Sequence, residues 1–324
     1  MNKHILVCGS SGFIGNHLVR KLKRQGHYVV GLDIELPNYE FPSKFYRCDL
    51  RLQSECDRVI WGLPHMDEVY NLACLMGGMG YIGSTDHSYD IMIGSNEIMA
   101  NVLAWCVKRK YKKLFYSSSA CVYNMYKQEN IHRPALKETD AYPAMPDLMY
   151  GWQKLCGELM CHATYQQHGL EVRIARFHNI FGPEGIYTGG KEKAPAALCR
   201  KVAMAKDGGE ITIWGDGNQV RSFLYIDECL EGVERLMNSN LLIPVNIGSS
   251  ESVTINGLAE TIINISGKNL VIKHDLTKPQ GVRSRNSDNT LIKKSLNWEP
   301  TGLLCDGLEK TYEWINFQVN KGHV

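Results

Sequence analysis

Tyr150 and Lys154 are spaced so that they can act together in proton transfer. They are four residues apart, and positions four apart lie on the same face of a helix. An ammonium group beside a phenol favours the phenolate, so we expect Lys154 to lower the pKa of Tyr150 and make it a base near neutral pH. The alternative is an ordinary helical pair on a solvated face.

A second set of reactive side chains follows the apolar residues 113–116, which predict a buried parallel strand. Ser119 and Cys121 come just after this strand, where ligands bind in an open α/β sheet. Lys193 lies in a later loop that is rich in glycine and charge. We interpret Ser119 and Tyr150 as acting on one hydroxyl group, and Cys121 and Lys193 as acting on carbon-bound protons. Alternatively, Cys121 is a small buried residue among eleven cysteines and the charges around Lys193 are only solvated.

The start of the chain predicts a dinucleotide site. An apolar strand at residues 4–8 precedes Gly9, Gly12 and Gly15, and a helical pattern follows. Gly9 permits a tight turn, Gly12 lets a pyrophosphate approach the backbone, and Gly15 allows close helix–strand packing. Asp33 ends the second strand, where a carboxylate holds a ribose 2′-hydroxyl and repels a 2′-phosphate, so NAD is favoured over NADP. A glycine turn without a ligand is the alternative.

Three further polar residues follow predicted strands. Asp49 either meets the adenine amino group or caps the next helix, and the two interpretations are equally supported. Asp227 is predicted to be a helix N-cap. His178 is predicted to be a hydrogen-bonded structural residue rather than a catalyst.

The elements that position these groups alternate between strand and helix, which predicts an α/β fold with a Rossmann-type, doubly wound parallel sheet. Residues 76–80 form a loop with few side chains apart from two methionines, so its backbone can approach a ligand, although a mobile turn is the alternative. Predicted strands lie at residues 4–8, 28–33, 68–73, 113–117, 171–177 and 244–249, and predicted helices at 17–22, 91–107, 148–167 and 196–205.

Composition limits the class of protein. A chain of 324 residues suits one large α/β domain or two lobes that share a cleft. Its net charge of +2 gives no general attraction to nucleic acid or to an acidic membrane. The chain has no apolar run of about 20 residues and begins directly with a strand, so we expect neither a membrane span nor a signal peptide. Eleven cysteines without a CxxC pair predict a reduced, cytoplasmic protein without a structural metal.

Together, the glycine turn, Ser119, the Tyr150–Lys154 pair and a C-terminal lobe resemble the extended short-chain dehydrogenase/reductase family that acts on nucleotide sugars. Within this family the chain most resembles the GDP-mannose 3,5-epimerase group, over nearly its whole length. The segments that carry this resemblance lie at residues 76–80, 118–121, 176–180, 189–197, 214–217 and 281–289.

The resemblance implies a set of site residues. Tyr150, Lys154 and Ser119 would act at C4 of the sugar, and Cys121 and Lys193 would be the acid/base pair for inversion. The implied NAD-binding residues are Gly9, Gly12, Phe13, Ile14, Gly15, Asp33, Asp49, Leu50, Leu72, Ala73, Tyr150 and Lys154. The implied GDP-sugar-binding residues are Gly77, Ser119, Ala120, Cys121, Asn179, Glu192, Lys193, Ala194, Lys201, Gln219, Arg221 and Arg285.

The resemblance also implies an activity and an organisation. It implies NAD-dependent inversion of C3, C5 or both in a GDP-hexose, through a transient ketone at C4. It implies an NAD-binding domain at residues 1–180 and 224–250, and a nucleotide-sugar lobe at residues 181–223 and 251–324. A homodimer through the helices at residues 91–107 and 148–167 is expected on the same basis.

Other functions remain open at this point. A nucleotide-sugar 4,6-dehydratase carries an Asp-Glu pair where this chain has Ala120 and Cys121. A C4 epimerase or C4 dehydrogenase needs only Tyr150 and leaves Cys121 and Lys193 idle. A non-catalytic NAD-sensing regulator would not need the Tyr150–Lys154 pair.

Overall fold

The structure is a computed structural model that describes residues 2–132 and 135–323. The strands are β1 (His4–Cys8), β2 (Tyr28–Asp33), β3 (Lys44–Arg47), β4 (Glu68–Asn71), β5 (Lys113–Ser119), β6 (Glu171–Phe177), β7 (Ile180–Phe181), β8 (Glu210–Trp214), β9 (Val220–Ser222), β10 (Leu224–Tyr225), β11 (Val245–Ile247), β12 (Ser252–Thr254), β13 (Val271–Asp275) and β14 (Ser284–Arg285). The helices are α1 (Phe13–Arg24), α2 (Gln53–Ile60), α3 (Met79–Ile82), α4 (Ser95–Lys108), α5 (Met149–His168), α6 (Ala194–Met204), α7 (Ile226–Asn238), α8 (Ile255–Ser266), α9 (Thr290–Leu296) and α10 (Leu304–Asn320).

The main sheet confirms the predicted fold class. Within the described residues it has seven strands in the order β11-β6-β5-β4-β1-β2-β3, and every pair is parallel. The chain order reverses between β1 and β4, because β2 and β3 extend the sheet on one side of β1 and the later strands extend it on the other. In a doubly wound sheet the ligand crevice opens at this reversal, beyond the carboxyl ends of the strands.

Two apolar cores cover the two faces of the main sheet. In β1, Leu6 and Cys8 point into one core with α4, whereas Ile5 and Val7 point into the other with α1 and α7. This alternation follows from the two-residue period of a strand. Both faces are apolar because helices cover both, as expected for a parallel sheet.

A third core builds a second lobe. It is formed by α6, α8 and α10 packed around β8 and the end of β12, and β8 pairs in parallel with β13. A separate small sheet joins β12, β9 and β14 at the edge of this lobe. The helix α9 instead places Ile292 in the core that α1 and α7 share. The domain boundaries given by the sequence stay a prediction.

Several local predictions differ from the structure. Asp227 lies inside the first turn of α7, whose N-cap is Tyr225, because the chain passes directly from β10 into the helix. Asp49 is not a helix cap either, since the N-cap of α2 is Leu52. The helix predicted at residues 91–107 is α4 preceded by a π-helical turn, Asp90–Gly94.

The described residues contain neither a candidate membrane span nor a candidate metal cluster. Among these residues no helix has the length and apolar character that crossing a bilayer would require. Within the same residues no three His, Cys, Asp or Glu side chains cluster in a way that suits a metal ion.

His178 is a buried histidine that should make the stability of the fold depend on pH. Its Nε2 donates to Asn246 Oδ1 at 2.9 Å, and its Nδ1 has no partner among the described residues. Burial lowers the pKa of His178 to about 4. The unfolded chain therefore binds more protons than the folded chain between about pH 6.5 and pH 4. The contribution of His178 to the free energy of unfolding is therefore greatest above pH 6.5, and it is lost as the pH falls toward 4.

We predict that the free energy of unfolding falls by about 3 kcal/mol from this group between pH 6.5 and pH 4. Urea denaturation at several pH values measures it. His178→Gln, which keeps a donor toward Asn246, should flatten the profile, whereas the same change at the exposed His162 should not. An equally steep profile in His178→Gln would show that other groups cause the pH dependence.

Candidate active site

The glycine turn after β1 has the geometry of an anion site. Gly9 has a φ of +78°, and a Cβ at Gly15 would lie 1.9 Å from the Gly9 carbonyl oxygen, so both positions require glycine. Gly12 is the N-cap of α1 and contributes no side-chain cap, so first-turn N–H groups of the helix face the turn. Asp33 Oδ2 accepts from Ser11 N at 2.9 Å, which places the carboxylate beside the same turn.

The remaining predicted cofactor residues gather around this turn. Leu72 N donates to Cys8 O at 3.0 Å, and a Cβ at Gly9 would meet Ala73 N at 2.7 Å. Cys48 N donates to Asp33 O at 2.9 Å, which brings Asp49 and Leu50 to the end of β2. The carboxylate of Asp49 pairs with Arg51, which lowers the pKa of Asp49.

These residues fit NAD. A glycine-lined helix N-terminus suits a diphosphate, and a fixed carboxylate beside it suits a ribose hydroxyl. Burial raises the pKa of the Asp33 carboxyl, while backbone N–H donors of Glu35 and Ser11 oppose that rise. Phe13 and Ile14 lie in the first turn of α1 and pack on the apolar core beneath it.

Ser119 and Cys121 are held in a tight turn at the end of β5. The Ser119 hydroxyl accepts from Cys121 N at 3.2 Å and caps a short 3₁₀ turn, Ala120–Val122. The Cys121 side chain packs in a small cluster with Tyr81, Ile91 and Tyr150. A hydroxyl and a thiol are therefore presented together at the sheet edge.

The helix α5 approaches this turn very closely. A Cβ at Gly151 would lie 2.2 Å from the Cys121 carbonyl oxygen, so only glycine allows the contact. Tyr150 immediately precedes Gly151 and is buried beside Cys121. Ser119 is held beside Cys121 by its own hydrogen bond, so the two residues predicted to act on one hydroxyl lie at the same turn.

Lys154 lies beneath Tyr150 in the position expected from the four-residue spacing. Its Nζ donates to the Ser117 carbonyl at 2.8 Å and lies 5.6 Å from the centroid of the Tyr150 ring. The expected lowering of the Tyr150 pKa is wrong for the groups of this chain, because burial raises that pKa well above its ordinary value. The charges of Cys74 and Cys121 raise it further, whereas Ser119 lowers it.

Lys193 reaches the same site from the second lobe. It is the N-cap of α6, with Pro195 in the first helical turn, which is why this helix begins two residues earlier than predicted. Burial lowers the pKa of Lys193, and the charge of Cys121 is the strongest of those that raise it. The loop at residues 76–80 links the two groups, because a Cβ at Gly78 would lie 3.4 Å from Lys193 N while Met76 packs on the cluster that contains Cys121.

The glycine loop at residues 76–80 holds the Lys193 segment in place. Gly78 N donates to the Lys191 carbonyl at 2.8 Å, and a Cβ at Gly78 would lie 2.1 Å from Glu192 O. A Cβ at Gly77 would meet Tyr81 at 2.8 Å. The loop therefore packs against the backbone that carries Lys193, and Gly78 is needed for that contact, whereas Gly77 is needed for the approach of Tyr81.

The small sheet of the second lobe brings several predicted substrate residues to the thiol. Arg221 of β9 pairs in register with Arg285 of β14, and Arg285 Nη1 donates to Cys121 Sγ at 3.1 Å. Burial lowers the pKa of Arg221 to about 9, and the charge of Arg285 contributes to this. Gln219 is buried at the same edge, and Asn179 Nδ2 donates to Ser222 O at 2.9 Å.

Three predicted substrate residues lie along the start of α6. Glu192 pairs with Arg200 at 3.2 Å, and Ala194 is the first residue of the helix. Lys201 lies two turns further on, where its Nζ donates to Thr212 O at 2.6 Å in β8. Lys201 is thus tied to the body of the second lobe rather than to the Cys121 turn. Its role in binding, like the roles of the other site residues, stays a prediction.

Sequence reasoning missed three residues of this site. Asp147 and Gln128 both bind Arg285, and the charge of Cys74 acts on both Tyr150 and Lys193. Asp147 lies three residues before Tyr150, and Cys74 follows the predicted strand end at Ala73, so both had positional signals. Gln128 had none, because its contact with Arg285 spans 157 residues of chain.

We predict that Gly78→Ala destabilises the folded chain by about 1–3 kcal/mol, because the new Cβ overlaps the Glu192 carbonyl. The displaced segment should also expose Lys193, so an amine reagent should label Lys193 faster in peptide-resolved mass spectrometry. Gly80→Ala is the matched control, since its Cβ meets nothing nearer than 3.4 Å. Equal stability and equal labelling in the two variants would refute the proposed contact.

Comparisons with known proteins agree with this geometry. GDP-mannose 3,5-epimerase 1 of Oryza sativa subsp. japonica is 46% identical over 98% of this chain and 82% of its own length. GDP-mannose 3,5-epimerase of Arabidopsis thaliana is 45% identical over 99% of this chain and 84% of its own length. The crystal structure of UDP-glucose 4-epimerase from Thermotoga maritima with UDP-glucose superposes with a TM-score of 0.86 at 26% identity, covering 98% of this chain and 99% of that one. The NAD dependent epimerase/dehydratase family pattern matches residues 5–248, and the chain belongs to that family.

Proposed function

We propose that this chain is an NAD-dependent epimerase that inverts C3, C5 or both in a GDP-hexose, as in the conversion of GDP-mannose to GDP-galactose or GDP-gulose. The observation that carries the proposal is that Cys121 packs beside Tyr150, and that the loop at residues 76–80 next to this cluster also packs against the backbone of Lys193. The two GDP-mannose 3,5-epimerases that match nearly the whole chain support the same substrate and reaction.

The reaction begins at the C4 hydroxyl of the sugar, because a C–H bond flanked by ordinary alcohols is too weak an acid for any side chain. Tyr150 accepts the hydroxyl proton and Ser119 holds the oxygen. Gly9, Gly12, Gly15 and Asp33 would hold NAD⁺, which when bound would supply a reversible hydride acceptor for C4. The C4 ketone makes the hydrogens at C3 and C5 acidic.

Cys121 and Lys193 then act on the acidified carbon. One of them removes the proton from one face of the carbon, and the other delivers a proton to the opposite face. Lys193 suits this role because burial lowers its pKa toward neutrality. Cys121 suits it because its thiol packs beside Tyr150 and accepts a hydrogen bond from Arg285 Nη1 at 3.1 Å. Both groups reset by exchanging protons with solvent.

Tyr150 depends on positive charge to act as a base. Burial and the neighbouring thiols raise the pKa of Tyr150, and Lys154 is engaged by the Ser117 carbonyl. Additional positive charge beside the phenol is therefore required before it ionises near neutral pH.

A C4 epimerase is the second candidate function, and the likeness to the Thermotoga UDP-glucose 4-epimerase favours it. That reaction would leave Cys121 and Lys193 without a role. A 4,6-dehydratase is less well supported, because this chain has Ala120 and Cys121 where that group carries an Asp-Glu pair. An NAD-sensing regulator would not require the intact Tyr150–Lys154 pair.

We also propose a cytoplasmic homodimer. The helix α5 exposes Trp152 and Leu159, and the π-helical turn before α4, with its N-cap, exposes Ile93 and Tyr89. Exposed apolar side chains on neighbouring helices favour a helical dimer interface. All eleven cysteines are free thiols within the described residues, which suits a reducing compartment. Cell fractionation would test the location.

We predict that Cys121→Ser and Lys193→Met each lower epimerisation by about 10²- to 10⁴-fold while NAD stays bound. NMR of the products in deuterated water measures the reaction, and the absorbance of the purified protein measures the cofactor. Cys305→Ser, which changes an exposed thiol, is the control and should be fully active. Deuterium at C3 or C5 supports the epimerase. Full incorporation in Cys121→Ser would contradict the role of the thiol, and label at neither carbon in the unaltered enzyme would favour C4 chemistry.

We predict that Leu159→Glu converts the dimer to a monomer, because it places a charge in the proposed interface. Light scattering coupled to gel filtration measures the mass. Leu276→Glu is the control, since Leu276 is exposed on the second lobe. A dimer that persists in Leu159→Glu would mean that another surface forms it.

A further inference from the structure

Arg285 forms an unusual set of contacts around the Cys121 sulfur. Its Nη1 donates to Cys121 Sγ at 3.1 Å, its Nη2 lies 3.1 Å from both carboxylate oxygens of Asp147, and its Nε donates to Gln128 Oε1 at 2.6 Å. All three guanidinium nitrogens are therefore engaged by protein groups. Because a guanidinium only donates, the sulfur must be the acceptor in this contact.

The contact is buried, so its charges matter. The side chains of Arg285 and Asp147 are 7% and 10% exposed, and Gln128 is fully buried. Burial would lower the pKa of Arg285, but the charges of Cys121 and Asp147 raise it above its ordinary value. A buried ion pair needs further hydrogen bonds to offset its desolvation, and Gln128 provides one of them.

Arg285 and Asp147 have opposite effects on the protonation of Cys121. A guanidinium that donates to sulfur stabilises the thiolate over the thiol. A carboxylate on the far side of the guanidinium cancels part of that charge, but it also fixes the direction of the fork. In Asp147→Asn the amide oxygen can still accept from Nη2 while Gln128 accepts from Nε, so the guanidinium keeps its place and only the charge at position 147 changes.

We propose that Asp147 and Arg285 are positioning residues that set the protonation of Cys121: Arg285 stabilises the thiolate, and Asp147 orients Arg285 and attenuates its charge. The inference rests on the proposed function, in which Cys121 is an acid/base group. It assigns Arg285 to the thiol, whereas the resemblance implied a role for Arg285 in binding the GDP-sugar. It also adds Asp147, to which sequence reasoning gave no role.

Other charged or titratable groups also face Cys121. Tyr150 from α5, Lys193 from the start of α6, and Arg221 from β9 all sense its charge. None of these residues is changed in the test, so their contributions are common to every variant.

The test is peptide-resolved labelling of Cys121 with iodoacetamide from about pH 5 to pH 10, on the full-length NAD-bound enzyme without sugar. The midpoint of the rate profile reports ionisation of this thiol and does not require turnover. In Arg285→Gln the midpoint should rise by about one to three pH units, because a neighbouring positive charge is lost. In Asp147→Asn the midpoint should fall, because no carboxylate then offsets the positive charge of the Arg285 guanidinium. The double variant should lie between the two.

Cys305, exposed near the C-terminus, is the internal control in the same digest, and its profile should not move. An unchanged midpoint in Arg285→Gln, or an unchanged or raised midpoint in Asp147→Asn, would overturn the proposal. If Arg285→Gln does not fold, the midpoint in Asp147→Asn tests the proposal alone. Asn has nearly the same shape as Asp, so this variant should fold. Epimerase activity is measured separately, so a failure of the proposed function would leave the labelling result intact and the two would be told apart.

Discussion

The active site depends on one close backbone contact between α5 and the turn that follows β5. Because position 151 has no Cβ, the helix reaches the carbonyl of Cys121, and the residues on either side of the contact meet. Tyr150 then lies beside both Ser119 and Cys121, and Lys154 reaches back to the strand through the Ser117 carbonyl. A side chain at this position would separate the phenol from the thiol, so the chemistry of the site begins with a steric constraint.

Besides this steric constraint, the active site must accommodate positively charged side chains in mostly apolar surroundings. Lys154, Lys193 and Arg285 all lie close to Tyr150 or Cys121, and each is treated differently. Lys154 is held by a carbonyl, Lys193 has its pKa lowered by burial, and Arg285 is paired with a carboxylate. A desolvated charge must be paired or must shift its protonation. As a result, Lys154 is a fixed cation, Lys193 is a titratable amine, and Arg285 is a cation that acts on the Cys121 thiol.

The parts that sequence reasoning predicted correctly share a local origin. The glycine turn, the acidic end of β2 and the pairing of Tyr150 with Lys154 each lie within one strand, turn or helix, where spacing determines geometry. The two helix N-caps that were predicted wrongly are also local features, but each depended on which backbone or side-chain partner the residue contacts. Asp49 pairs with Arg51 instead of capping a helix, and Asp227 lies two residues after the N-cap of α7, because β10 leads straight into that helix. Single residues offered no signal for such competition.

The sequence alone determined the parallel sheet, the nucleotide turn and the identities of the reactive groups, since short-range periodicity and side-chain chemistry set these. Only the tertiary structure decided which groups meet. Lys193 comes from a lobe that begins after the main sheet is nearly complete, and Arg285 reaches Cys121 across 164 residues of chain. Burial, which raises the pKa of Tyr150 and lowers that of Lys193, likewise exists only once the lobes pack. Proximity and desolvation depend on long-range packing, which residue spacing does not encode.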